Sequence, residues 1–497
     1  MGVAYISASK KTNEAYKWGS NISFLFAMIG AAIGLGNIWR FSYIVYSNGG
    51  GSFFIPYIFA ILTLGVPFLI LEYGLGVKHR DSLSSILKNL NPKFEVIGWF
   101  IVFLVFLVMT YYIVIIGWDV IYLLLGFTKQ WGSDPNLFFN TNIVVGGNNL
   151  SHITTIVWPT FIIVTLVWIF LWLVSRKNIE NGIGKVVKIT IPSLICIMFL
   201  IVAYSFTLNG HMIGLTNLFN PDWSALLNSD IWLAAFTQVL FSLSVGQSIA
   251  LTYASYLDNN DHLVDSVLVV AASNSSFEII TAIGVFNILG FMSLKTGLGI
   301  EQIATSGTGL IFVVFPEIFN IMGDVAYIIG PAFFLCVFFA GVTTMFAFIE
   351  PMSLSLAKKF KMSRSKTATI VCFFGFLTSI IFTTGAGNYI LAIADEFINQ
   401  YGILFAILLQ AIIFGWLYGI DKLVPILNEK SIVHIGSKWI WILKYILPGV
   451  LLILFASEII HKITEGITTE LLIELVFLAL VIIIPVILTK LPETKDN

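Results

Sequence analysis

Residues 30–41 read "GAAIGLGNIWRF" and sit near the start of a long apolar run. Gly30, Gly34 and Gly36 fall within seven positions, and Asn37 and Arg40 follow them. A glycine inside a helix costs about 1 kcal/mol relative to alanine. An arginine is among the most costly residues to place in hydrocarbon. A plain membrane helix has no use for either in its middle, so the stretch predicts an interrupted helix. Small residues four apart would also serve close helix packing, and that reading stays open on this stretch alone.

The surrounding composition places the run in a membrane. Of 497 residues, 58% are hydrophobic and only 11% charged, where a soluble domain carries about 25% charged residues. The net charge of −1 gives no electrostatic case for nucleic acid or an acidic ligand. Cys196, Cys336 and Cys372 all lie in apolar stretches and read as small packing residues. The opening "MGVAYISASKKTNEAYKW" is polar and has no apolar core with a small-residue cleavage site, so no cleaved signal peptide is expected.

Apolar runs of about 20 residues mark membrane helices. About twelve such spans are centred near residues 32, 65, 110, 166, 197, 243, 280, 341, 375, 405, 449 and 478. Lysine and arginine set the orientation. Basic clusters precede span 1 and follow spans 2, 4, 8 and 10, whereas the intervening loops hold only Lys129, Lys295 and Lys462. Both termini are therefore expected in the cytoplasm of a multi-pass cell-membrane protein. Of two long outer loops, residues 128–155 read as a plain surface loop. Residues 295–324 are more apolar and suit a helical lid over an outer vestibule, or a loop packed on the outer surface.

Span 6, "WLAAFTQVLFSLSVGQSIALTYASY", has its own soft spot at "FSLSVGQS". Interrupted segments at matching places in two halves point to a transporter built from inverted repeats. Unwinding a helix at mid-membrane frees carbonyls and N–H groups that need partners. Carbonyls can replace water around a small hard cation, and helix N-termini can hold a carboxylate. A cation and an amino-acid carboxylate meet both needs.

"GAAIGLGNIWRF" followed by "NGGGSFFIPY" resembles the neurotransmitter:sodium symporters, in particular the bacterial and archaeal amino-acid transporters of the leucine-transporter type. "MTYYIVIIGW" in span 3, "TQVLFSLSVG" and "TYASY" in span 6, "FFAGVTT" and "EPM" in span 8, and Asp395 in span 10 extend the resemblance from about Trp18 to about residue 419. It implies an all-α membrane protein with a 5+5 inverted repeat, broken helices 1 and 6, and two further C-terminal helices. The implied division is a cytoplasmic segment 1–18, a first repeat 19–209, a second repeat 210–420, spans 11 and 12 within 421–489, and a cytoplasmic tail 490–497. The implied function is sodium-coupled import of a small neutral amino acid by alternating access, without enzymatic activity.

Two sodium sites follow from the resemblance. The first uses the Ala32 carbonyl, Asn37, Ser242 and Asn274, completed by the substrate carboxylate. The second uses the carbonyls of Gly30, Ile33 and Ala340 with the hydroxyls of Thr343 and Thr344. All are neutral oxygens, which suit a hard monovalent cation. Taken alone, the two threonines could equally bond back to their own helix. The substrate carboxylate is expected at the N–H groups of Leu35 and Gly36 and the Tyr112 hydroxyl. The amine is expected at the carbonyls of Ala32 and Phe241. Val108, Phe241, Ser244, Gln247, Thr344 and Phe348 are expected to line the side-chain pocket. Monoamine transporters of the family carry an aspartate where this chain has Gly34, so a ligand with its own carboxylate fits better. Gln247 and Phe348 replace a phenylalanine and an isoleucine of the leucine-selective type, which predicts a smaller and more polar pocket.

Arg40 and Asp395 match the family's outer gate, either as a closing pair or as a static ion pair. Glu72 is expected to accept hydrogen bonds from N–H groups freed in span 1. Glu278, near Tyr57, Gln238 and Ser242, stands where chloride-dependent members have a serine and predicts independence from chloride. The family's inner-gate arginine and aspartate are replaced by Ala15 and Lys358. A charge-reversed inner gate, Glu14 with Lys358 beside Tyr256, is the expectation, against simple solvation of both. Proton coupling on the same scaffold, or a channel or non-transporting receptor, are the alternatives. An intramembrane enzyme is disfavoured because His79, His152, His211, His262, His434 and His461 fall in loops or near span ends. Which amino acid is carried and the oligomeric state are not readable from sequence.

Overall fold

The computed structural model describes residues 15–147, 149–258, 262–303, 307–465 and 469–494. Among them the chain is helical, with no strand beyond two isolated bridges. Ten helices are long and apolar enough to cross a membrane. They are span 2 (Gly51–His79), span 3 (Pro92–Gly126), span 4 (Trp158–Ser175), span 5 (Glu180–Ser205), span 7 (Leu263–Thr296), span 8 (Gly323–Phe360), span 9 (Arg364–Thr383), span 10 (Gly387–Tyr418), span 11 (Ser437–Thr464) and span 12 (Thr469–Lys490). Two broken elements complete the order. Span 1 is Asn21–Ala32 and Leu35–Ser47, bent by 49°. Span 6 is Ser229–Ser242 and Ile249–Ser255. The breaks thus fall in the first and sixth elements, as the glycine-rich stretch and its counterpart predict.

Local chemistry sets the ends. Ser20 caps span 1, its hydroxyl accepting from the Ser23 N–H at 3.2 Å. Span 2 stops where Arg80 turns left-handed at φ 50°. Spans 3 and 8 run along each other through the centre and are largely buried. Spans 4, 5, 9, 11 and 12 show most of their surface, and it is apolar: Leu166, Phe199, Phe373, Ile453 and Ile483 all point outward. A soluble protein would bury such a belt; in a bilayer it faces acyl chains.

Both long loops are built into the body. Residues Leu310–Ile321 form a short apolar helix whose Phe312, Phe315, Ile318 and Phe319 are buried, the helical segment expected there. The other loop corrects its reading as plain surface. Its Pro135–Phe138 turn and the following Phe139–Ile143 turn bury Phe139, which stacks on Phe312 with ring centres 5.7 Å apart. The signal was present in "NLFFN", two aromatic residues that polar neighbours obscured.

Candidate functional site

The break in span 1 lies at Ile33 and Gly34, between its two helices. Close packing holds the first half. A Cβ on Gly30 would come within 2.9 Å of the Thr343 Cβ and 2.8 Å of Ile191, so only glycine lets span 1 approach spans 5 and 8 this closely. The break in span 6 contains Ser244, Gly246 and Ser248, all with positive φ (51°, 72° and 63°). A left-handed backbone at three positions cannot continue a helix. Its freed groups find side chains. Glu72 of span 2 accepts from the N–H groups of Gly246 at 3.3 Å and Ser248 at 3.2 Å. Gln410 of span 10 donates to the Gly246 carbonyl at 2.6 Å. Glu72 therefore supports the break of span 6, not that of span 1 as the sequence suggested. Sequence spacing says nothing of which break a neighbouring helix passes, and Gln410 was missed for the same reason.

The residues assigned to the first cation set meet in space. Asn37 donates to Asn274 at 2.7 Å, Asn274 donates to the Ser242 hydroxyl, and the Gly34 N–H donates to Asn37 Oδ1 at 2.9 Å. The second set also converges. Thr344 donates to the Gly30 carbonyl at 3.3 Å and to the Ala340 carbonyl at 3.0 Å, and Thr343 donates to the Ala340 carbonyl at 3.1 Å. Ile33 caps the C-terminal end of the first half of span 1, its N–H donating to the Ile29 carbonyl at 2.7 Å. The threonines thus bond to their own helix and, through Thr344, to span 1. A donating hydroxyl keeps lone pairs for a cation. Both sets consist of neutral oxygens, and no cluster of three or more His, Cys, Asp or Glu able to hold a metal occurs among the described residues.

Between the two sets lies a cavity of about 360 Å³. All ten residues expected to touch substrate line it: Ala32, Leu35, Gly36, Val108, Tyr112, Phe241, Ser244, Gln247, Thr344 and Phe348. The Leu35 N–H donates to the Tyr112 hydroxyl at 3.1 Å, and a Cβ on Gly36 would meet nothing within 4 Å. The backbone there faces open space with donors at a helix start, an arrangement suited to a carboxylate. Gln247 is buried and its Oε1 has no partner among the described residues. Its amide carbonyl is left for whatever fills the cavity.

Arg40 and Asp395 line the same cavity. Neither pairs directly with the other among the described residues. Arg40 lies over the Phe241 ring at 4.5 Å, while Asp395 accepts from Tyr111 at 2.8 Å and Asn399 at 2.7 Å. Gly307, Thr308 and Asn388 also line the cavity. Glu278 is buried and accepts from Tyr57 and, at 2.6 Å, from Gln238.

The end of the bundle that carries the termini is shut by a buried cluster around Tyr256, one of the residues expected there. Glu350 of span 8 pairs with Arg364 of span 9 through both guanidinium nitrogens, at 2.5 and 2.7 Å, and both residues are buried. Tyr256 donates to the same carboxylate at 2.8 Å. The Tyr16 ring packs at a tilt against Tyr256 with centres 5.4 Å apart and lies under Arg364, and Trp18 Nε1 donates to the Tyr253 carbonyl at 2.9 Å. Glu14 lies outside the described residues. Lys358 donates to the Arg80 carbonyl at 2.9 Å and lies 3.9 Å from Asp81. The expected Glu14–Lys358 pair therefore falls outside the described residues, and the closure they show is Tyr256–Glu350–Arg364. The usable signal was the glutamate of "EPM", since an acid inside a span needs a buried partner.

Paired breaks at mid-bundle, two neutral-oxygen sets and a cavity beside them define a secondary transporter with a leucine-transporter fold. A sequence model of the Sodium:neurotransmitter symporter family matches residues 15–145 and 130–489, and the chain belongs to that family. An uncharacterized sodium-dependent transporter of Methanocaldococcus jannaschii is 36% identical over 97% of this chain and 99% of its own length. The sodium-dependent serotonin transporter of Drosophila melanogaster is 29% identical, covering 92% of this chain and 78% of its own. The crystal structure of MhsT in complex with L-phenylalanine matches with a TM-score of 0.75 at 28% identity, covering 89% of this chain and 99% of that one. The protein is a multi-pass membrane transporter of a sodium-dependent family and not an enzyme.

Proposed function

We propose that the chain imports a neutral amino acid by symport with sodium, using two sodium sites and no chloride. The observation that carries this reading is the cavity wall at the span 1 break. There the Leu35 N–H and the Tyr112 hydroxyl stand beside Asn37, and residue 34 is a glycine instead of an acid. A substrate carboxylate fits those donors and would itself complete the first sodium set, so ion and substrate bind together. The phenylalanine in the MhsT crystal structure supports an amino-acid ligand for a related protein. The proposed setting is the cell membrane with both termini in the cytoplasm. The cavity then faces outside, and the Tyr256–Glu350–Arg364 closure faces inside.

Glu278 is the proposed substitute for chloride, a fixed negative charge held by Tyr57 and Gln238. Glu278→Ser removes that charge, and transport by the variant should then require added chloride. An active variant that ignores chloride contradicts the assignment. The partnerless Gln247 carbonyl favours a small or polar side chain. In a binding panel, leucine should not outcompete alanine, serine, threonine or glutamine. A preference for leucine over all four would remove the pocket reading while leaving sodium coupling intact.

A further inference from the structure

Asp119 stands apart from every site above. It lies in span 3, seven residues beyond Tyr112 and therefore about two helical turns nearer the cavity mouth. Its side chain is 0% exposed, and both carboxylate oxygens lack a hydrogen-bond partner among the described residues. Every other acid on the transport path is held: Glu72 by two N–H groups, Glu278 by Tyr57 and Gln238, Glu350 by Arg364, and the exposed Asp395 by Tyr111 and Asn399.

The titratable neighbours do not relieve it. Span 8 brings Cys336, whose Sγ donates to the Leu194 carbonyl of span 5. Span 3 itself brings Tyr112 and Tyr122, the latter with a partnerless hydroxyl. Span 4 presents Val164 against Gly117 of span 3, and it does not titrate. Arg40 and Asp395 stand on the cavity side, and Asp134 and Glu317 in the loops at the mouth. No charged side chain hydrogen-bonds to Asp119 among the described residues.

A cation held by Asp119 would need further ligands, and no group of three or more His, Cys, Asp or Glu able to hold a metal occurs among the described residues. A bare carboxylate in such a place costs several kcal/mol. A carboxylic acid does not carry that charge. The geometry points to a proton as the ligand: we propose that Asp119 is a proton-binding site, loaded when the vestibule closes over span 3.

The cover is visible. Phe312 of the loop helix sits 5.0 Å from the Tyr122 ring and 6.1 Å from the Trp118 ring, and Phe334 closes the other side of Tyr122 at 5.5 Å. Tyr122 is one turn beyond Asp119, so lifting the loop helix would bring water to the acid. Wet, Asp119 loses its proton to that water. Covered, it takes one back from the vestibule, forming only an O–H bond. Closure therefore consumes a proton from outside and is favoured at low external pH. Span 3 supplies no ligand to either sodium set, so the site is separate from sodium coupling.

Two measurements test this. In proteoliposomes with a fixed inward sodium gradient, uptake of a labelled mixture of neutral L-amino acids is followed against external pH. The wild-type rate should fall by at least about fivefold from about pH 6 to about pH 8.5. Asp119→Asn, neutral at every pH, should stay active and flat, and Asp119→Glu should restore a pH-dependent rate. An Asp119→Asn profile that parallels the wild type overturns the proposal. The second measurement needs neither transport nor a variant. Dicyclohexylcarbodiimide, an apolar reagent for carboxylic acids, is applied to the wild-type protein and the modified peptides are mapped by mass spectrometry. Asp119 should be labelled at low pH and progressively less at high pH. Absence of label at low pH overturns the proposal even if the sodium-symport reading holds. Labelling in a protein that fails to use sodium would leave the proton site standing and remove only that reading.

Discussion

Glu72 shows how one side chain can hold a functional irregularity in place. The N–H groups of Gly246 and Ser248 have no helical partner, and the Glu72 carboxylate accepts from both. Leaving a buried N–H unmet costs about 1–3 kcal/mol. Glu72→Ala orphans two and should destabilise the protein by about 2 kcal/mol or more, while Glu72→Gln keeps one acceptor oxygen and should cost less. Thermal unfolding in detergent reads both, and equal melting of Glu72→Ala and the parent would contradict the role. Residues of this kind divide by how far their evidence lies along the chain. Asn37, Thr343 and Thr344 were legible because they sit inside recognisable motifs. Gln410 was not, because an amide within span 10 has no local signature and its partner is a carbonyl in span 6.

At the level of elements, the two closures of the pathway differ in chemistry. On the cavity side, Arg40 and Asp395 are held apart by an aromatic face and two hydrogen bonds. On the termini side, spans 6, 8 and 9 are tied by Tyr256, Glu350 and Arg364, all buried. Removing one partner of a buried ion pair costs about 3–5 kcal/mol because the other charge is stranded. Glu350→Ala should therefore loosen this end, and amide hydrogen exchange across residues 249–256 should rise. Replacing both partners by apolar residues should recover much of the loss, since no stranded charge remains. Unchanged exchange in Glu350→Ala would show that the pair is not what keeps the end shut. The spans themselves were legible from apolar runs, and the breaks from glycines in those runs. The pairing of Glu350 with Arg364 was not, because Arg364 reads in sequence as one more basic residue of a loop.

Across the whole molecule, the breaks in spans 1 and 6 bring together what no single helix could offer. Span 1 contributes backbone donors and carbonyls, spans 6 and 7 contribute Ser242 and Asn274, and span 8 contributes Thr343 and Thr344. The central claim is that these neutral oxygens hold sodium and that transport depends on it. The direct measurement is uptake of a labelled mixture of neutral L-amino acids into proteoliposomes, with external sodium replaced by potassium or choline. Uptake should require an inward sodium gradient and vanish in either replacement, and Thr343→Ala should raise the sodium concentration needed by about tenfold, the equivalent of about 1.4 kcal/mol. Uptake that is equally fast in potassium or choline would contradict the account.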